Sequence, residues 1–257
     1  MKNLFVVHGA DHKVGTTMIS QSIAEYLSNE YKELKVLFIT LNGRESAEYV
    51  NEAPESIEGI KNHLDSKMIE DIDFTRVCKK RDNFYMLTGI KKEEEQRDYY
   101  PHMATYLLET VTQTFDIVIA DSGNELDNGL AIGALSATVN RFLVMTQQEA
   151  ILYRWERNRM TYERLGIDFD RYIINKYYEQ DPYDVSYIGK RLNLLQEQFL
   201  KVAFAGYGRQ AEMEYKTLME YKEQKYIQNI GAICDVVLER LGIPVKKTRK
   251  TKWKNFI

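Results

Sequence analysis

Apolar residues gather along this chain in short runs without strict alternation: Leu4 to Val7, Val36 to Thr40, Phe84 to Thr88, Ile117 to Ala120, Phe142 to Thr146, Tyr172 to Asn175 and Lys201 to Phe204. Runs of this kind suit strands buried on both faces of a parallel sheet. Between them the apolar positions recur at helical spacing. Ile19, Ile23, Tyr26 and Leu27 share one face after the first run, and Ile230, Ile233, Cys234, Val237, Leu238 and Leu241 share another before Gly242 and Pro244 stop that helix. Strands alternating with helices predict an α/β layer plan. The connection from Asn42 to Asn83 is predicted to carry helices around Ile57 to Leu64 and Met68 to Cys78, because so long a structureless loop is unusual in a compact domain. With four prolines and no Gly/Ser-rich linker, residues 1–245 read as one domain, followed by a tail over 246–257.

Composition narrows the picture. At 44% hydrophobic over 257 residues the chain can fill a sizeable core. Two cysteines, Cys78 and Cys234, are too few and too distant for a metal site or a disulfide framework, and fit a reducing compartment. No apolar run approaches the ~20 residues that span a bilayer, so the sequence reads as cytoplasmic, with at most a peripheral place at the inner face of the membrane. The net charge is -3, yet Lys246, Lys247, Arg249, Lys250, Lys252 and Lys254 in the tail carry six positive charges, which leaves residues 1–245 at -9. An acidic body with a basic tail argues against a protein that coats DNA. The eighteen tyrosines are scattered, as packing residues would be, and the charge run Lys91 to Asp98 reads as a solvated loop or helix end.

Chemistry concentrates after the first strand. The loop Gly9-Ala10-Asp11-His12-Lys13-Val14-Gly15-Thr16-Thr17 joins a buried strand to an amphipathic helix, the arrangement that cradles phosphate because backbone N–H groups and the helix N-terminus point at the anion. Gly15 lets the backbone approach, Thr17 offers a hydroxyl suited to Mg²⁺, and His12 or Lys13 could donate to phosphate. No lysine stands between glycine and hydroxyl, where Thr16 is found, so nucleotide binding and hydrolysis are separate questions. The second strand ends in neutral residues, Thr40 and Asn42. The strand before Gly123 ends in Asp121, at the carboxyl edge where ligands bind; there it either holds metal-bound water or simply forms a turn. Asn175, at another strand end, carries an amide able to read an adenine edge. His8, His12, His63 and His102 form no ligand spacing.

Taken in this order the segments resemble the ParA/MinD family of deviant P-loop ATPases, across roughly residues 1–245. The family's K-G-G-V-G-K-T-T lies over Asp11 to Met18, its D-x-D over Thr40 to Asn42, and its strand ending in Asp-x-Pro over Asp121 to Gly123. Val144 to Glu149 and Ile173 to Asn175 resemble its later V-x-x-x-x-E segment and its strand ending in Asn. The resemblance implies a P-loop NTPase three-layer fold: a mostly parallel central sheet of seven or eight strands flanked by helices. It also implies ATP or ADP with Mg²⁺ held by Lys13, Val14, Gly15, Thr16, Thr17 and Met18. Thr17 and, through water, Asp121 would serve the metal, Asn175 the base, and Asn42 stands at the family's acidic catalytic position.

Three positions depart from the pattern. The signature lysine falls at Asp11, the second loop lysine at Thr16 and the catalytic-side Asp at Asn42. Losing positive charge beside the β- and γ-phosphates implies weak or absent hydrolysis. The TadZ/CpaE-like proteins of Tad (Flp) pilus loci have a similar loop, G-G-V-G-T-S-T, close to Lys13 to Met18. That likeness implies a nucleotide-dependent homodimer that positions a membrane-associated assembly such as a pilus or secretion machine. Two other readings are an active ATPase in DNA partitioning or division-site placement, with Lys13 supplying the missing charge, and an interaction module that binds no nucleotide. In the tail, Trp253, Phe256 and Ile257 fall at i, i+3 and i+4 among the lysines, the composition of a segment drawn to anionic lipid. A solvated tail is the plainer reading, and nucleic-acid contact ranks below both.

Overall fold

The computed structural model describes residues 1–45 and 53–246. Within them the strands are β1 (Leu4–Gly9), β2 (Val36–Thr40), β3 (Glu55–Ser56), β4 (Lys79–Arg81), β5 (Phe84–Thr88), β6 (Ile117–Asp121), β7 (Arg141–Met145), β8 (Arg171–Tyr177) and β9 (Phe199–Ala203). They form one sheet in the order β3-β5-β2-β6-β1-β7-β8-β9, with β4 antiparallel to β5 and every other pair parallel. The central strands β1, β2, β6 and β7 are buried along their whole length, which is why their sequences run apolar without alternation.

Register decides where the chemistry falls. Asp121 pairs with Val7 on one side and Thr40 on the other, so β1, β2 and β6 end together at the carboxyl edge of the sheet. Helix α1 (Thr16–Glu30) leaves from that edge and packs against α9 (Gln224–Leu241). Gly231 makes this close approach feasible, since a Cβ there would sit 2.9 Å from the Tyr26 hydroxyl. Between α1 and α9 in the chain lie α2 (Lys61–Asp65), α3 (Phe74–Val77), α4 (Pro101–Thr114), α5 (Gly129–Ala137), α6 (Glu149–Arg164), α7 (Val185–Leu192) and α8 (Gly208–Met213). Helices α4 and α5 pack on each other.

The mostly parallel sheet flanked by helices is as the sequence predicts, and Cys78 and Cys234 are free and buried. The connection before β5 has helical pieces in the spans expected of it, shorter than expected, and adds edge strands. It holds the short α2, a 3₁₀ turn at Ile69–Asp71, the four-residue α3 and the edge strands β3 and β4. Strands of two and three residues carry too little apolar pattern to announce themselves, and β4 reads Lys-Lys-Arg because it lies at an edge with its side chains half or fully exposed. Residues 247–257 lie outside the described part, and with them the stripe expected of Trp253, Phe256 and Ile257. Lys246 is described: its backbone N–H donates to the Tyr31 hydroxyl at 2.9 Å, and its ammonium donates to the Glu30 carbonyl and pairs with Glu33.

Candidate functional site

The loop is shaped by two left-handed residues, Lys13 (φ 58°) and Gly15 (φ 92°). Glycine is required at the second position on further grounds, since a Cβ on Gly15 would lie 2.5 Å from the Asn175 amide nitrogen. At Gly9, likewise, a Cβ would meet the Thr16 hydroxyl at 2.4 Å; only glycine lets α1 begin so close above β1. Gly15 is the N-cap of α1 and has no side chain to offer, and the first turn contains no acidic residue. The N–H groups that open α1 thus have neither a capping side chain nor a local carboxylate, and the positive end of the helix is open to an anion.

Thr17 and Asp121 meet beneath this opening. The Thr17 hydroxyl donates to Asp121 Oδ2 at 2.6 Å, and the Gly123 N–H donates to Oδ1 at 2.9 Å. Asp121 is fully buried, and desolvation pushes its carboxyl above the usual carboxylate range, outweighing the lowering by these two bonds. A hydroxyl and a carboxylate are the hard oxygen donors that Mg²⁺ takes, and a cation beside Asp121 would offset the cost of burying its charge. The pair therefore fits a magnesium ion held by Thr17 and, through water, by Asp121. Among the described residues no group of three or more His, Cys, Asp or Glu is placed to hold a metal alone, so the remaining ligands would be water and phosphate, as is usual for this ion.

The other predicted residues divide. Lys13 is exposed at the loop, while Val14 and Met18 are buried and present only their backbone; the Met18 sulfur accepts from the Leu218 N–H at 3.4 Å. Asn42 lies against Gly123, where a Cβ would approach its own Cβ to 2.8 Å, and its side-chain oxygen accepts from the Arg44 N–H at 3.0 Å. Asn175 is 6% exposed, and its amide is engaged inside the protein, donating to the Val14 carbonyl at 2.8 Å and accepting from the Lys176 N–H at 2.9 Å. It clamps the loop from β8.

Several residues at this edge carry no signal in the sequence. Lys176 donates to the Lys13 carbonyl at 2.8 Å. Arg154, on α6, pairs with Asp11 at 2.6 Å across 143 positions of sequence. Glu125, after β6, pairs with His12 at 2.8 Å and with Arg44 at 3.0 Å. A cavity of about 300 Å³ adjoins them, lined in part by Asp11, Asn124, Glu125, Arg154 and Asn158. In sequence, Arg154 is one charge among many on a polar helix face.

His8, unassigned by spacing, is fully buried one residue before Gly9. Its Nδ1 lies 2.9 Å from the Ser122 hydroxyl and its Nε2 2.8 Å from the Tyr162 hydroxyl. Ser122 also lies 3.2 Å from the Val7 carbonyl, which can only accept. The network therefore assigns the Ser122 proton to Val7, the imidazole proton to Nδ1, and the Tyr162 proton to Nε2. Burial lowers the imidazole pKa to about 3, so the ring is neutral and serves to join β1, β6 and α6.

No protein-family model and no curated protein matches the sequence. Solved structures do. A ParA family ATPase from Chlorobium tepidum superposes with a TM-score of 0.76 at 16% identity, covering 93% of this chain and 99% of that one. The septum site-determining protein MinD from Pyrococcus horikoshii, complexed with Mg-ADP, gives 0.72 at 14% identity over 93% of this chain and 99% of its own. The McdA–ATP complex from Cyanothece gives 0.69 at 16% identity, over 96% and 98%. With a mostly parallel sheet of matching design, flanked by helices and carrying a strand-loop-helix at its centre, the chain has the fold of the ParA/MinD P-loop ATPases.

Proposed function

We propose that this protein binds ATP or ADP with Mg²⁺ and acts as a ParA/MinD-like switch that hydrolyses nucleotide slowly or not at all. The observation that carries the reading is the uncapped start of α1 at Gly15 above the Thr17–Asp121 pair. The N–H groups at the start of α1 would donate to phosphate oxygens, with Thr17 and Asp121 holding the ion that, when bound, neutralises phosphate charge. MinD and McdA structures of this fold carry Mg-ADP and ATP, which supports the choice of ligand.

Slow turnover follows from charge. Thr16 replaces the lysine that would act on the transition state; without ligand, Lys176 is engaged on the Lys13 carbonyl and Arg154 on Asp11. Lys13, exposed at the loop, is the cation through which the active-ATPase alternative would supply the missing charge. The switch would work as a nucleotide-dependent homodimer meeting through the loop face. Its role would be to position a membrane-associated assembly, of which the Tad/Flp pilus is the case suggested by the loop's likeness to the TadZ/CpaE group. No helix of the described residues is long and apolar enough to cross a membrane, so contact with one would run through the basic tail or a partner.

Calorimetry with Mg-ATP and Mg-ADP, followed by turnover on the same sample and on Thr16→Lys, tests the reading. Micromolar to millimolar binding is expected, with turnover rising about tenfold in Thr16→Lys, equivalent to ~1.4 kcal/mol of transition-state stabilisation. No heat at millimolar nucleotide would leave the interaction-module reading in its place.

A further inference from the structure

The phosphate loop already holds an anion of its own. Asp11 Oδ1 accepts from the His12 backbone N–H at 2.6 Å and from the Arg154 guanidinium at 2.6 Å. A loop N–H and an arginine converging on one oxygen are the donors that a phosphate oxygen would otherwise attract. Glu125, which lines the same cavity, repeats the arrangement, binding the His12 ring through one oxygen and Arg44 through the other. Two carboxylates thus gather cations and an N–H from α6, the loop and the segment after β2, and Asp11, Glu125 and Arg154 line one cavity beside the phosphate loop. The Arg154 and Arg44 side chains are about half exposed, within reach of an arriving ligand.

We propose that Asp11 and Glu125 form a carboxylate latch, an internal stand-in for phosphate that holds Arg154 and His12 at the loop mouth and that a polyphosphate must displace, taking Arg154 over as its own contact. The inference rests on the nucleotide-binding reading above and adds regulation to it. The pairs are of a strength that permits exchange, since their cations reach solvent, although Asp11 itself is 16% exposed, and solvent-exposed ion pairs contribute about 0.2–1 kcal/mol each. A ligand with three or four negative charges outcompetes a single carboxylate for the same guanidinium. The carboxylate also repels that ligand until it turns away, so the latch sets a threshold on nucleotide concentration.

The two partners of the Arg154–Asp11 pair should therefore have opposite effects, which a purely structural ion pair would not produce. Mg-ATP and tripolyphosphate binding would be measured by calorimetry on the full chain and on Asp11→Asn, Glu125→Gln and Arg154→Gln, each first checked for native circular dichroism and melting temperature. The expected result is roughly three- to tenfold tighter binding for Asp11→Asn and Glu125→Gln, and roughly three- to tenfold weaker binding for Arg154→Gln. If wild type binds but all variants shift in one direction, or none shifts, the latch is overturned while nucleotide binding stands. Absence of binding in wild type and every variant overturns both. Should Asp11→Asn fail to fold, Glu125→Gln carries the same expectation from the other anchor.

Discussion

The two ends of the sheet use polar residues in different ways. At the amino end they seal. Asn3 donates to the Thr112 and Phe115 carbonyls, each at 2.9 Å; Asn140 donates to the Lys2 and Leu4 carbonyls at 2.9 and 3.2 Å; Thr138 lies 3.0 Å from the Met1 and Leu4 carbonyls. Arg141, buried on β7, donates to the carbonyls of Leu135, Gly166 and Asp168. These donors answer backbone acceptors stranded where strands begin and helices end. At the carboxyl end the polar groups face an open helix start, left-handed residues at Lys13, Gly15, Gly43 and Gly123 shape the loops, and carboxylates pair with side-chain cations. Both ends satisfy backbone carbonyls, as Asn175 and Lys176 do at the loop, but the carboxyl end also leaves the N–H groups that open α1 without a capping side chain.

Breaking the sealed end should have the largest effect. Arg141→Leu removes the donor to three carbonyls; unmet buried acceptors cost about 1–3 kcal/mol each, and relief of the buried guanidinium's own desolvation offsets part of that. A net loss of ~3 kcal/mol is expected in urea unfolding, while the nucleotide affinity of the folded fraction stays that of wild type. An affinity that fell in step with stability would show that the two ends are not separable.

Asp121→Asn sharpens the contrast from the other side, with a smaller effect on stability because volume and the acceptor for the Gly123 N–H are kept. Burial raises the Asp121 pKa above its ordinary 3.8, so the folded state binds a proton more readily than the unfolded one. The resulting stabilisation is full below pH 3.8 and is lost as the pH rises through the folded value. Wild type should therefore lose stability relative to Asp121→Asn as pH increases from 3.8, and the difference should level off above that window. Magnesium should no longer strengthen nucleotide binding in the variant. Parallel stability-against-pH curves would show that Asp121 does not titrate as its burial dictates. His8 adds an opposite slope, since its pKa is lowered from 6.5 to about 3, and stability from that group is lost as pH falls between them. Because both proteins retain His8, the subtraction removes it.

The same contrast explains what was legible in the sequence. Strands β1, β2, β5, β6, β7 and β8 and helices α1 and α9 were legible because burial writes itself into local apolar spacing, and β9 appeared two residues late because its middle residue, Lys201, is exposed. Gly15, Thr17 and Asp121 were legible as a strand-loop-helix and a strand end, and the structure brings the last two to 2.6 Å. Arg154, Glu125 and Lys176 were not. Each acts through a partner on another element, and nothing in the residues around Arg154 marks Asp11 as the carboxylate it meets. Between Asn42 and Asn83 only part was legible: α2, the 3₁₀ turn and α3 fall in or overlap the spans where helices are expected, whereas the strands β3 and β4, of two and three residues, are too brief to show a period.

The smallest expected effect on the folded body comes from the tail, and it tests whether the sealed end also serves as a point of attachment. Lys246, the last described residue, is held beside Tyr31 and Glu33, just past the C-terminus of α1 and before β2 begins, on the amino side of the sheet. A chain ending at Lys246 keeps that docking and loses the five cations that follow. Surface truncations of this kind change stability by no more than about 0.5 kcal/mol, and nucleotide heats should match those of the full chain. Each cation near an anionic bilayer contributes ~1 kcal/mol, while three apolar side chains anchor weakly. Co-flotation with phosphatidylserine-containing vesicles should therefore recover the full chain weakly at low salt, more strongly if nucleotide brings two tails together, and the truncated chain hardly at all. Equal recovery of both chains would remove the tail from any membrane role and leave the amino end as structure alone.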